Sequence, residues 1–579
     1  MTTDIAGLPT NLREGLRRAA LDVPHRGIAI FDGRGRSCDR RSYGELYRLA
    51  CDSAARFAGL GIGRDEPVLV ALPTSWEWME AWFGLLLRGA WPVASSGAGA
   101  MAAAEAQFEK VDKVMAAIGA RHVVASDAFQ AQAAAQGFGF AREGVVTCER
   151  LHAAAPAAGD GALGHSDGGD VAFLQLTSGS TGVPRAVMIT HQGAIHNPVA
   201  SDEAIGAPFG EPMHRLTESM VSWLPLYHDM GLIGCLMLPL LCGLDTWLLR
   251  PETFLARPRL WLEHLGSHGG SFAPAPNFGY QLCVERISAD KREGLDLSLW
   301  RAALTGAEMV RPETTGAFSA AFEPHGFRPE AFRPCYGLAE GTLAVTFDVE
   351  GSGVRTRPAP RGTDAGFAMT EVVSTGVPIR DTRVRIAAPD GGGLPEGEIG
   401  EVCIKGPGVF RGYYGAPEAT AAVLRDGWFA TGDLGFLEGG ELYLTGRTKD
   451  LLIVHGHNIM PDEIERIADS VTGGGGLMRS AAFSVARGAA GEQAVVVVEI
   501  ADHDPGRLAE IGHEIRVRIG RAMGLPVADL LFVRRGRIPR TTSGKMQRGE
   551  LRQRYLDGTL ERLHVHDPAG RAPAQEPSR

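Results

Sequence analysis

Over the first 150 residues, short apolar runs alternate with amphipathic stretches, and this alternation constrains the fold more than any other feature. Pro67-Val-Leu-Val-Ala-Leu72 reads as a buried strand, Trp76 to Leu87 as a helix and His122-Val-Val-Ala125 as another strand. Strands alternating with helices require layered α/β packing around parallel sheets. After a flexible loop at 152–170, Val171-Ala-Phe-Leu-Gln-Leu176 predicts a strand, and Ala186-Val-Met-Ile-Thr190 a second one beyond a Gly/Ser/Thr loop. Residues 347–370 are rich in Gly, Pro and Arg and aperiodic. The short β-like stretches that follow, closed by Glu441-Leu-Tyr-Leu-Thr-Gly-Arg447, predict a small β-rich subdomain. From about Asp450 the texture becomes that of a compact αβ unit, with a helix from Asp462 and a strand from Ala494 to Ile500.

Composition narrows the function classes. The chain has 579 residues and a formal net charge of -10, without long charge runs, which argues against nucleic acid as the main partner. Of 58 basic residues only six are lysines, at 110, 113, 291, 405, 449 and 545, so each lysine is informative. Eight cysteines show no metal-ligand or disulfide spacing, which fits reduced thiols and a cytoplasmic location. Met230 to Leu244 is the longest uncharged apolar run; it is interrupted by Pro239 and too short to span a bilayer. It predicts a buried helix or strand–helix segment, and no membrane insertion.

The strongest local signal is Thr177-Ser-Gly-Ser-Thr-Gly-Val-Pro-Arg185. Small residues let backbone approach a ligand, and amides and hydroxyls form a ring of donors suited to phosphate. The spacing does not match GxxxxGK[ST], and a strand rather than a helix follows, so a kinase-like phosphotransferase is disfavoured. A plain Gly/Ser turn is the bland alternative.

Further segments fall into one order: Leu224-Pro-Leu-Tyr-His-Asp-Met-Gly231, Thr305-Gly-Ala-Glu308, Tyr336-Gly-Leu-Ala-Glu340, Gly427-Trp-Phe-Ala-Thr-Gly-Asp433, Gly446-Arg-Thr-Lys-Asp450 and Pro539-Arg-Thr-Thr-Ser-Gly-Lys545. With the Thr177–Arg185 loop, these resemble the adenylate-forming superfamily of acyl-CoA synthetases, adenylation domains and luciferases, over roughly residues 15 to 560. Trp223–Gly231, Ala275-Pro-Asn-Phe278 and Ala339 are most similar to fatty-acyl-AMP ligases. The resemblance implies a large N-terminal domain over residues 1–448 with layered α/β sheets and a β-rich subdomain. It further implies a hinge at 449–450 centred on Lys449, a small mobile α+β C-terminal domain at 451–563 and a disordered tail at 564–579.

The implied activity is Mg-ATP-dependent conversion of a hydrophobic carboxylic acid to its acyl-adenylate, with pyrophosphate released. The acyl group then passes to the pantetheine thiol of CoA or an acyl-carrier protein. Implied ATP contacts are Thr177, Ser178, Gly179, Ser180, Thr181, Gly182 and Arg185 toward the phosphates. Tyr336 would stack on adenine with Gly306, Ala307 and Glu308 lining the base, Gly337, Leu338 and Ala339 are further ATP contacts, and Asp433 and Arg447 would hold the ribose. Glu340, with Thr177, would hold Mg²⁺, a hard cation that takes oxygen ligands. Lys545 would bridge the charge growing on the phosphoryl oxygens. His228 sits with these at the reacting end, as a gate near the carboxylate rather than an acid–base catalyst. Met230, Gly231, Pro276, Asn277, Phe278 and Gly279 would wall the acyl pocket.

Two positions depart from the family pattern: Arg185 stands where Lys is common, and Ala339 where Thr is usual. The segment from Gly341 to Thr375 has room only for a shortened form of the insertion that fatty-acyl-AMP ligases carry. A full acyl-CoA synthetase for a bulky acid, and a catalytically silent adenylate-binding protein, are the alternatives. The two-domain reading makes a sharp prediction. Lys545→Ala should slow adenylation roughly 10²–10³-fold, while transfer from pre-made acyl-adenylate to a thiol survives. Measuring the half-reactions separately checks it, and equal slowing of both would make Lys545 merely structural.

Overall fold

The computed structural model describes residues 7–96, 104–157, 163–177, 184–217, 219–360, 371–454, 457–472, 479–487, 492–501, 504–540 and 546–566. Two α/β sheets carry the larger part of the chain. The first has six strands in the order Val145–Thr147, His122–Ala125, Pro67–Ala71, Trp91–Ala94, Val171–Thr177, Arg185–Thr190. All its pairings are parallel except the last, which is an antiparallel hairpin. The second has nine strands, with Gly27–Phe31, Asp245–Leu248, Ser219–Ser222, Gly270–Pro276, Ala302–Gly306 and Phe332–Gly337 parallel at its centre and antiparallel strands at both edges.

The expected alternation is therefore present, and local signals set the helix ends. Ser42 and Glu45 form a reciprocal capping box at the start of helix Tyr43–Gly59. Helix Trp76–Arg88 opens on the Ser75 hydroxyl and closes on Gly89, whose φ of 81° suits glycine. The Met230–Leu244 run becomes a wide π-helical segment, Met230–Met237, followed by a short helix, Leu238–Cys242, all but its last two residues buried. Such wide turns are rare in proteins and cluster at functional sites. Among the described residues, no helix is long and apolar enough to cross a membrane.

The β-rich part is an antiparallel five-stranded sheet built from Arg383–Ala387, Gly400–Lys405, Trp428–Glu438, Leu424–Arg425 and Glu441–Arg447. Beyond the turn Thr448–Asp450, a mixed four-stranded sheet (Ser480–Ala486, Glu492–Ile500, Val527–Arg534, His564–His566) packs with helices Pro461–Thr472, Pro505–Met523 and Arg548–Leu556. Its two apolar clusters draw only on residues from Leu452 onward, so this unit has a core of its own. The disordered tail expected from residue 564 needs correction at its start. His564–His566 pairs antiparallel with Leu530–Phe532, satisfying the backbone of an otherwise open sheet edge. Residues 567–579 of that tail lie outside the described residues.

One buried amide fastens the site loop to the scaffold. Asn197, in helix His191–Gly206, donates to the carbonyls of Gly341 (3.1 Å) and Ala344 (2.8 Å) and accepts from the Ala344 N–H (3.0 Å). Removing a buried partner leaves all three groups uncompensated. Asn197→Ala should lower stability by about 1–3 kcal/mol, read as a lower urea midpoint; an unchanged midpoint would mean that water replaces the amide.

Candidate active site

The antiparallel hairpin Val171–Thr177/Arg185–Thr190 brings Thr177 opposite Arg185. The tip residues Ser178, Gly179, Ser180, Thr181 and Gly182 lie outside the described residues, as does Lys545. The base of the hairpin carries further contacts. Residues 411–414 run along the outer strand, with Met188 N–H donating to the Gly412 carbonyl (3.0 Å) and Tyr414 N–H to that of Ala186 (2.8 Å). This places Tyr413 between two of the expected site residues. Its hydroxyl donates to Glu340 Oε1 at 2.8 Å, and the Arg185 guanidinium lies over its ring, 5.0 Å from the centroid. Burial raises the Glu340 pKa above the ordinary carboxylate value, and the Tyr413 hydrogen bond works against that shift.

Tyr413 was not among the residues singled out from sequence. Its adjacent aromatic pair was the available signal. Glu340 itself sits in the turn Ala339–Gly341 directly after strand Phe332–Gly337. Its carboxylate and the Thr177 hydroxyl are hard oxygen donors, a set that fits Mg²⁺.

On the five-stranded sheet, Asp433 is the common partner of two expected site residues. It accepts from the Tyr336 hydroxyl at 2.6 Å and from Arg447 Nε at 2.7 Å. Asp433 and Arg447 face each other across adjacent antiparallel strands, so register alone sets their contact. The Asp433 side chain is only 6% exposed, which makes the pairing necessary. Burial lifts the Tyr336 pKa well above that of a free phenol, with the Asp433 charge adding to it. Burial opposes the charge on Arg447, but Asp433, Tyr336 and Asp450 together outweigh it and raise its pKa. Close by, Gly306 ends strand Ala302–Gly306, and Ala307 takes a left-handed φ of 67°, a strained conformation for a residue with a Cβ. Glu308 accepts from the Phe278 N–H at 2.9 Å. Gly337 passes so close to the Leu343 carbonyl that a Cβ would clash, and Leu338 donates its N–H to the same carbonyl.

The apolar end is a cavity of about 50 Å³ lined by Met230, Leu238, Phe272, Leu304, Tyr336 and Leu343, among others. That volume holds little more than a water molecule. Met230 lines this space, but Pro276, Asn277, Phe278 and Gly279 do not. Asn277 instead spends its amide on Thr314 Oγ1 (3.0 Å) and the Arg311 N–H (3.1 Å). Phe278 packs edge-on against Trp223, and Gly279 leaves room for that indole. Gly231 presses against the Pro225 carbonyl. His228 is partly exposed, its Nδ1 2.7 Å from Asp229 Oδ1. Among the described residues, Asp202, His214 and Cys242 also form a cluster with metal-ligand chemistry. There both Asp202 oxygens are already taken by the N–H and Nδ1 of His214, and the Cys242 thiol is kept protonated by burial and acidic neighbours.

Residues 16–414 match the family of AMP-binding enzymes. The long-chain-fatty-acid–AMP ligase FadD26 of Mycobacterium tuberculosis is 38% identical over 424 residues, covering 68% of this chain and 71% of its own. A structure from work on fatty acyl-adenylate ligases of E. coli and L. pneumophila superposes with a TM-score of 0.83 at 31% identity, covering 95% of this chain and 98% of its own. A fatty acyl-adenylate ligase from L. pneumophila in complex with acyl adenylate and pyrophosphate gives 0.69 at 29% identity, covering 96% and 98%. Fold and site thus define an AMP-forming ligase. The chain belongs to the AMP-binding enzymes of the adenylate-forming superfamily, with its affinity toward the fatty-acyl-AMP ligases.

Tyr413→Phe removes the one side-chain hydrogen bond that opposes protonation of Glu340. The Glu340 pKa then rises further, so the acid limb of the adenylation pH profile should move to higher pH, with a several-fold greater Mg²⁺ requirement. Superimposable profiles would show that Glu340 does not gate the reaction.

Proposed function

We propose that the chain activates a hydrophobic carboxylic acid with Mg-ATP, releases pyrophosphate and passes the acyl group of the resulting acyl-adenylate to a pantetheine thiol. One observation carries this reading: Tyr336 lines the apolar cavity and holds Asp433 with its hydroxyl. The acid end and the nucleotide end therefore meet at one side chain.

The chemistry follows from that meeting. With ribose at Asp433 and Arg447 and the acyl chain beyond Tyr336, the acid's carboxylate oxygen faces the α-phosphorus. A new C–O–P linkage forms as the bond to the β-phosphate oxygen breaks, and pyrophosphate leaves. Charge builds on the phosphoryl oxygens, where Arg185 and Lys545 supply positive charge and the hairpin supplies donors. Glu340 and Thr177 would hold Mg²⁺, which neutralises charge on the departing phosphates. The ring of Tyr413 keeps the Arg185 guanidinium at the hairpin base. Partial burial of the Asp433–Arg447 pair strengthens the grip on ribose. Adenylation needs no proton transfer, so His228 serves as a gate beside the apolar run; in the second step the thiol loses its proton, its sulfur bonds to the acyl carbon and AMP leaves. Ala339 and the Trp223–Gly231 pattern favour a carrier protein over free CoA as acceptor, while CoA is the second choice on the shortness of Gly341–Thr375.

Isotopic pyrophosphate exchange into ATP, with a panel of acids graded in size, tests the reading. Exchange should require a hydrophobic acid, and Asp433→Ala should weaken ATP binding by about 1.5–3 kcal/mol. Exchange with no acid in the panel would favour a silent adenylate-binding protein, and unchanged ATP affinity in the variant would remove Asp433 from the ribose site.

A further inference from the structure

Helix Pro461–Thr472 carries Asp462, Glu465 and Asp469 at spacings of three and four, which places three carboxylates on one face. Two arginines close on that face from different parts of the chain. Arg548 pairs with Glu465 through two parallel hydrogen bonds of 2.8 and 2.6 Å, and Glu465 is fully buried. This contact is internal to the C-terminal unit. The other arginine is not. Arg311 lies three residues beyond Glu308, at the start of helix Pro312–Phe322 in the larger unit. Its Nη2 donates to Asp462 at 2.8 Å and its Nη1 to Asp469 at 3.1 Å, and its side chain is 7% exposed.

Both sides of this contact are braced. The Asn277 amide oxygen holds the Arg311 backbone N–H. Asp469 also accepts from the Arg479 N–H (3.2 Å) and the Ser480 hydroxyl (2.8 Å). On the rim, Arg466 meets Glu313 at 2.7 Å and Arg479 approaches Glu285 at 3.7 Å. A buried guanidinium is tolerable only while both carboxylates stay in place, and its planar fork fixes direction as well as distance. Rotation of the C-terminal unit away from helix Pro312–Phe322 would strip Arg311 of both partners together. The contact is thus made in full or lost in full.

We propose that Arg311 is a positioning residue that locks the C-terminal unit against the nucleotide end in the arrangement seen here, and so sets the balance between adenylation and thiol transfer. The kinetic part of this rests on the two-step function proposed above, and the docking part does not.

The test uses the full chain with Arg311→Met, Arg311→Lys and the milder Asp462→Asn. Amide hydrogen exchange reads docking, and the two half-reactions are measured separately, with synthetic acyl-adenylate supplied for the second. Arg311→Met should speed exchange on the order of tenfold in helices Pro312–Phe322 and Pro461–Thr472 alone. It should also shift the half-reactions in opposite directions without changing the KM for ATP. Arg311→Lys should recover part of both effects, and Asp462→Asn should give the same pattern more weakly. Unchanged exchange in the two helices, or half-reactions that fall in step, would overturn the lock. If Arg311→Met loses protection across the whole chain, Asp462→Asn decides by the same criteria. If wild-type protein adenylates no acid, the two-step function fails, while the exchange measurement still decides whether Arg311 docks the two units.

Discussion

The carboxylate of Asp433 is the constraint on which the site depends. It stands on the five-stranded sheet, takes the hydroxyl of Tyr336 from the nine-stranded sheet, and takes Arg447 from the strand that leads into the C-terminal unit. An almost fully buried carboxylate is costly unless charge and hydrogen bonds compensate it. Each of these three elements is therefore held at hydrogen-bond distance from the others. The same cluster orients the wall of the apolar cavity, because Tyr336 belongs to both. In the function proposed above, ribose binding at Asp433 and entry of an acyl chain would be coupled through one phenol.

A second cluster, Arg185–Tyr413–Glu340, gives physical sense to a departure visible in the sequence. A guanidinium interacts with an aromatic face more readily than an ammonium does, and that of Arg185 lies over the Tyr413 ring. The ring's hydroxyl then reaches the carboxylate suited to Mg²⁺. Replacement of Lys by Arg at the end of the phosphate loop is accommodated by a neighbour far along the chain.

The layered architecture was legible because strand and helix periods differ and alternate cleanly up to Thr190. The Asp433–Arg447 pair was legible too, since two motifs bracket one hairpin. Contacts that depend on tertiary approach were not legible. Asn277 sits next to an aromatic residue in sequence and was expected at the acyl pocket, yet the fold turns its amide toward Thr314 and Arg311. Arg311 and Asp469 are 158 residues apart, and nothing local marks either as a partner of the other. His564–His566 looked like the start of a disordered tail because a three-residue edge strand has too little periodicity to be read.

The central claim is that nucleotide and acid share a site whose boundary is Tyr336. A crystal structure with a hydrolysis-resistant acyl-adenylate analogue tests it most directly. The ribose hydroxyls should lie against Asp433 and Arg447, with the acyl chain among Met230, Leu304 and Leu343 and the linkage between them beside Tyr336. An analogue whose ribose lies away from Asp433, or whose chain lies outside that cavity, would contradict it.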